Sequence, residues 1–358
     1  MAFDGAHVAA GTVRAFFLYD IADSIDLRRL RTVRGEGLAP AHFSLRPHTS
    51  PAYLQFPTPP LVAFLGPARR IKLFDYGVIS VRLAAPFSGS LREMVQFAND
   101  LRNNEAVANA ARDTVQEVIA ELGDALEDPH TALIEDYFIA RVEQFTQPVK
   151  ADDLLVRGRD ELAALILGET GPFSAAQRDE AIRLNFSYYP DDLTIVQWDA
   201  AFVYDRPESA DAIEDILEFA NSQLVELRTY DALLDSELDA IYAVKPERTL
   251  RALLGRRAAE QAATLRYLIV DVLELTDRAS NALKVIGDAY YARIYRAVSA
   301  RLALDDWQRQ IDRKIRSIGE MYRFFDDQAR ARRDVFLEII IIALIVLEVV
   351  IGALALRH

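Results

Sequence analysis

The apolar positions of this chain change their period once. Before about residue 205 they come in short alternating or β-branched runs broken by proline and glycine, which is a strand pattern. It predicts strands over 12–19, 53–56, 61–65, 71–74 and 78–83. Asp75-Tyr76-Gly77 between the last two reads as a hairpin turn. Ser90 with Glu93 three residues on is a capping box, predicting a helix from there to about residue 125. Strand runs return at 132–145 and 193–204. Helical runs lie at 152–167 and, behind a second box at Ser174/Gln177, at 175–184. The strands are clustered and do not alternate strictly with helices, so α+β is favoured over a doubly wound sheet.

From Pro207 onward the period is helical. Ile213, Leu217, Ala220, Leu224, Leu227, Asp231, Leu234, Leu238 and Ile241 alternate spacings of four and three, a heptad seam. Lys245-Pro246 breaks it. A second seam runs Leu254, Ala258, Gln261, Leu265, Leu268, Val272, Leu275, Ala279, Ala282, Ile286. The short break makes the two helices antiparallel neighbours. Asp231 and Gln261 interrupt the seams and are read as polar residues that set register. A further helix from Asp305 carries Trp307, Ile311, Ile315, Ile318, Tyr322 and Phe325 on one face.

Residues 337–356 are apolar all round. Fourteen of the twenty are Leu, Ile or Val, with Glu338 at the entrance and Glu348 near the middle. Twenty helical residues span roughly 30 Å, a bilayer core. The aliphatics contribute on the order of −6 kcal/mol to insertion, against about 3 kcal/mol for Glu348. Arg330, Arg332 and Arg333 precede the stretch, and only Arg357 and His358 follow it. The positive-inside rule then leaves the bulk of the chain in the cytoplasm. The expected architecture is an α+β head over 1–206, a long antiparallel coiled-coil-like stalk over 207–333, and one C-terminal transmembrane helix over 334–358.

Composition narrows the chemistry. The 358 residues are 51% hydrophobic and 27% charged, as in a folded chain with a sizeable core. With no cysteine, disulfides, thiolate metal sites and cysteine nucleophiles are excluded. Five histidines (His7, His42, His48, His130, His358) make a histidine-rich metal site unexpected. No apolar leader follows a basic start. No phosphate-loop lysine, dinucleotide glycine motif, zinc helix motif or nucleophile elbow is present. The acidic group Asp211, Glu214, Asp215 and Glu218 fits a solvated helix face. No catalytic residue, cofactor or metal is therefore expected, and the chain is read as no enzyme.

The net charge of −13 argues against wholesale nucleic-acid binding. It is unevenly placed, however. Residues 12–73 carry nine basic groups against four acidic ones, a local +5. Arg28, Arg29, Arg31 and Arg34 form the densest run, and Arg69 and Arg70 lie near its end. Together they are a candidate docking patch for RNA, a ribosome surface or anionic lipid.

Three further stretches carry a family resemblance. They are Leu227-Arg228-Thr229-Tyr230-Asp231-Ala232-Leu233-Leu234-Asp235, then Asp288-Ala289-Tyr290-Tyr291-Ala292-Arg293-Ile294-Tyr295-Arg296, and the Leu337-Glu338 tail. With Asp75-Tyr76-Gly77-Val78-Ile79, the chain resembles the "required for meiotic nuclear division" (YagE-like) family. The departures are Arg82-Leu83 where that family has a bulky aromatic, and Ile339 where many members have Trp. The resemblance implies an oligomeric membrane protein without established catalysis, in a family whose mitochondrial members are linked to translation. This chain would be a bacterial-type, inner-membrane member. The expected function is a tail-anchored, homo-oligomeric scaffold or adaptor whose head binds a partner near the membrane. The alternative is a ribosome or RNA tether using the 12–73 window.

Overall fold

A computed structural model of the chain describes residues 6–30, 32–33, 36–37, 39–40, 61–64, 69–243, 289–321, 323, 340–342 and 344. They fall into two compact units, 1–229 with 275–307, and 230–274 with 308–358.

The first unit is built on β1 (His7–Ile25), β7 (Val78–Ser90) and β8 (Leu126–Phe145). β1 lies between the other two and pairs antiparallel with both along almost its whole length. A central strand has no solvent face, and β1 is accordingly buried without interruption from Val13 to Ala22. β6 (Arg69–Leu73) adds antiparallel to β7, followed outward by β5 (Leu61–Phe64) and β4 (Ala39–Pro40). On the other side lie β11 (Ala200–Tyr204), β10 (Leu193–Val196) and β9 (Asn185–Phe186). The order is β4-β5-β6-β7-β1-β8-β11-β10-β9, and β2 (Thr32–Val33) and β3 (Glu36–Gly37) form a separate ribbon. The β8–β11 pair is parallel. A parallel neighbour requires a crossover, which α3 (Ala151–Arg157), α4 (Arg159–Leu167) and α5 (Ala175–Ala181) supply.

The two faces of the sheet are covered differently. Val13, Ala15 and Phe17 of β1, Ile79 and Val81 of β7, and Phe138 and Ala140 of β8 share one face. They pack in apolar cores against α1 (Leu91–Arg102), α2 (Glu105–Leu122) and α4. The opposite face, with Arg14, Arg70, Lys72, Arg82 and Arg141, is covered by α6 (Pro207–Ala243). α7 (Ala289–Arg301) packs on α6, with Tyr295 stacked on Phe219 and donating to Gln223 at 2.6 Å.

The α+β class read from clustered strands is corrected to α/β. Clustering along the sequence concealed the parallel return of β11, and helices cover both faces of one mixed sheet. The Asp75–Gly77 turn forms, with Gly77 at φ +88°. A side chain there would run into the carbonyl of Ala22, which explains the glycine. The expected helix over 90–125 is broken at Asn104, whose side chain caps α2. The 152–167 helix breaks at Gly158. The 193–204 run is a hairpin turning at Trp198. The expected strand at 53–56 and the second seam lie outside the described residues.

The C-terminal membrane anchor is also corrected. Among the described residues no helix is long and apolar enough to cross a membrane. Of 337–356, only Ile340, Ile341, Ile342 and Leu344 are described, and they are helical and exposed. Glu338 and Glu348 lie outside the described residues. The inner-membrane location and the single-pass topology deduced from flanking charge fall with the anchor.

The first seam is used inside the chain. Ile213, Leu217, Ala220, Leu224 and Leu227 are buried in the first unit. In the second unit Asp231 does have polar partners. Lys314 Nζ lies 2.6 Å from Asp231 Oδ1, and Gln310 donates to the same oxygen at 2.9 Å. Both belong to the helical stretch 304–321. Gln261 lies outside the described residues.

Candidate functional site

The most unusual chemistry in the first unit is a charged layer between α6 and the sheet. Its cations come from strands because alternate residues of a strand face one way. Arg70 and Lys72 of β6, Arg82 of β7, Arg14 of β1 and Arg141 of β8 share a face by the pairings Arg70↔Arg82, Arg14↔Ala84 and Thr12↔Arg141. Its anions come from one helix stripe, since Asp211, Glu214, Asp215 and Glu218 are three to four residues apart.

The pairing proceeds along the helix. Arg141 Nη1 donates to Asp211 Oδ1 at 2.5 Å and to Glu214 Oε1 at 3.2 Å, and its Nη2 reaches the Pro207 carbonyl. Arg14 bonds the other oxygen of Glu214. Lys72 donates to Asp215 at 2.8 Å and meets Glu218 as well. Arg70 donates to Glu218 Oε2 at 2.6 Å. Tyr76 Oη and Ser222 Oγ continue the line at 2.7 Å. Lys72 and Glu214 are each only 1% exposed.

Titration follows these contacts. Burial works against the charged form of Glu218, but Arg70 and Lys72 outweigh it and hold the carboxyl well below its usual range. Burial likewise opposes the charge of Arg70, and Glu218 and Asp215 outweigh that. Arg82 goes the other way. Burial, then Arg70 and Arg14, push it down to about 10.

The acidic group expected on a solvated helix face is thus largely interior. Only Asp211 remains well exposed, at 60% of its side chain. Its assignment as solvated is corrected, because helix spacing alone cannot say which face meets the sheet. The cations were equally hidden in the sequence. The usable signal was the charge inside apolar strands, such as Arg14 in β1 and Arg70-x-Lys72 in β6.

The structure does not gather the expected docking patch. Arg28 and Arg29 follow β1 on the surface, and Arg29 pairs with Asp26 at 2.8 Å. Arg31 and Arg34 lie outside the described residues. Arg69 is exposed on the α2 side, its Nη1 3.4 Å from Thr114 Oγ1. Arg70, one residue on, points to the opposite face and into α6.

A second feature is an open cleft of about 540 Å³ between α1 and α4, lined by Arg92, Gln96, Asn99, Asp100, Asp160 and Glu161. Asp160 is already bound by Arg178 at 2.7 Å. Among the described residues, no group of three or more potential metal ligands converges.

Fold and site define a class, an α/β domain whose mixed sheet is locked to one helix by buried ion pairs. The family described as "Uncharacterized protein MJ0711, N-terminal domain" matches residues 10–211, and the chain belongs to it. This corrects the meiotic-nuclear-division resemblance, which rested mainly on 227–235, 288–296 and the tail, beyond the matched residues, and within them on Asp75–Ile79 alone. Uncharacterized protein MJ0711 of Methanocaldococcus jannaschii is 22% identical over 220 residues. The match covers 61% of this chain and 66% of the relative, just under two thirds of the relative's length. No solved structure matches. The translation link and the inner-membrane location that came with the resemblance go with it.

Proposed function

We propose that this chain is a scaffold or adaptor that holds a partner and carries out no chemistry on it. The fate of the basic window supports this reading over the RNA or ribosome tether. Arg14, Arg70 and Lys72 are committed to carboxylates of α6, so they offer little charge to a polyanion. The tether reading keeps one observation in its favour, the exposed Arg28 and Arg29.

Exposed aromatics suit a partner surface. Tyr188 and Tyr189 are 56% and 47% exposed, yet their amides are fixed by the Asp192 carboxylate at 2.7 and 2.8 Å. Large, pre-positioned tyrosines are what binding hot spots use. Self-association, expected from the seams, is one form such a partner takes.

RNA binding separates the readings. Full-length protein titrated with labelled RNA between roughly 50 and 200 mM salt should show no salt-dependent complex. A complex that weakens steeply with salt, and is lost on Arg28→Gln with Arg29→Gln, would establish the tether instead.

A further inference from the structure

β8 is paired fully on one side and only in part on the other. β1 pairs with it from Leu126 to Phe145, but β11 covers only Phe138 to Val142. At the boundary the Phe138 amide donates to the Asp199 carbonyl at 2.9 Å, and the chain turns away at Trp198. The amide of Phe138 therefore points away from β1. Pairing with β1 runs without a register shift from Leu133 to Val142, so strand alternation aims the backbone of Asp136 and Ile134 the same way. No described residue bonds the outward N–H or C=O of Ile134, and the Asp136 amide turns to its own carboxylate. Pro129, which has no N–H, bounds this free edge at its far end. Ile134 is 42% exposed, and Trp198 is 46% exposed. An open edge is a template for another strand. Its charge says which kind. Residues 126–136 hold four carboxylates, Glu127, Asp128, Glu135 and Asp136, and no lysine or arginine. Glu135 pairs with Arg228 and the neighbouring Asp199 with Arg102, which leaves Glu127, Asp128 and Asp136 in no ion pair with a described residue. Burial raises the pKa of Asp136, and Asp199 adds more to that than Arg102 takes away. A second copy pairing edge to edge would set these acids against one another.

We propose that the β8 edge at 130–136 takes up an extended segment of a partner protein that alternates basic and aliphatic side chains along one face. Ile134 and Asp136 lie on the same face of β8. The added strand then sets an aliphatic residue by Ile134 and, two positions along, a lysine or arginine by Asp136. Main-chain bonds to Ile134 supply affinity, and those two side-chain positions supply selectivity. The inference rests on the adaptor reading and names its partner. The two fail separately, because loss of peptide binding removes this edge alone and the RNA titration tests the reading itself.

Amide hydrogen exchange of the full chain, read residue by residue, tests it. The probe is a blocked peptide of about eight residues in which lysine and valine take turns at every second position, with threonine between them. Without peptide, the Ile134 amide should exchange much faster than that of Glu135, which faces β1. The peptide should bind saturably and slow the Ile134 amide. The same peptide with glutamate for lysine should bind at least about tenfold more weakly. Ile134→Pro removes the outward donor and spares the β1 ladder, while Ile134→Lys keeps the backbone and repels the lysines. Each should weaken binding at least about tenfold. A slow Ile134 amide in the chain alone, no saturable binding of the lysine peptide, or equal binding of the glutamate peptide overturns the proposal. So does binding unchanged in both variants. Protection of Ile134 that rises with chain concentration alone would also overturn it, by making the occupant a second copy.

Discussion

At the scale of single residues, Glu218 shows how the charged layer acts. It is 2% exposed and meets both Arg70 and Lys72. Burying ions costs about as much as their attraction returns, so the intact layer adds little net stability. Breaking it is another matter. Glu218→Gln takes one of two carboxylates from Lys72, itself 1% exposed, and leaves Asp215. The expected loss is about 3–5 kcal/mol, read as a lower urea midpoint with an unchanged slope. Glu218→Gln combined with Lys72→Met should recover part of that loss. A single variant as stable as the parent would mean that water already reaches the pair. The layer's benefit is then specificity, since an α6 shifted along its axis would strand several charges at once.

At the scale of elements, the helix starts were legible. Ser90 Oγ accepts from the Glu93 amide at 3.3 Å, and the Glu93 carboxylate accepts from the Ser90 amide at 2.7 Å, the reciprocal box read from the sequence. Ser90→Ala should cost about 1 kcal/mol of stability in thermal or urea unfolding, and Ser90→Asp much less. Helix ends were less legible, because Asn104 and Gly158 divide runs that look continuous by period. Periodicity reports one buried face, and two short helices on the same side of a sheet can keep it across a break. α6 defeats the pattern more completely. Its residues from Ala212 to Leu227 are almost all buried, polar ones included, so the apolar heptad marked only part of its contact surface.

At the scale of the whole molecule, the charged layer and His130 set opposite limits in pH. Glu218 titrates below its ordinary value, so its contribution is present above the unfolded carboxyl pKa of about 4.3 and is lost as pH falls through the folded value. For His130, burial disfavours the charged ring, but the hydrogen bond and charge of Asp20 outweigh it and raise the pKa. Its contribution is present below about 6.5 and is lost as pH rises through the folded value. Asp136, raised by burial, contributes fully below about 3.9 and loses that as pH rises through its folded value. Stability should therefore be greatest roughly between pH 4.5 and 6.5, measured as the urea midpoint against pH. Glu218→Gln should flatten the acid limb and His130→Gln the neutral one. A midpoint flat from pH 4 to 8 would contradict the coupling.

The sequence by itself determined the strands of the central sheet, the Asp75–Gly77 hairpin, the capped start of α1 and the helical character of α6. Each is local, decided by alternation, by a glycine that must take positive φ, or by a side chain within reach of its own helix end. Only the tertiary structure decided that β11 runs parallel to β8, that Arg69 and Arg70 part to opposite faces, and that α6 turns its carboxylates inward. Those facts depend on which elements meet, across separations such as the 200 residues between Arg14 and Glu214. A charge on a strand and a charge on a helix look solvated when read one at a time. Their burial becomes affordable only when the partner of opposite sign arrives on another element, and one-dimensional spacing carries no record of that meeting.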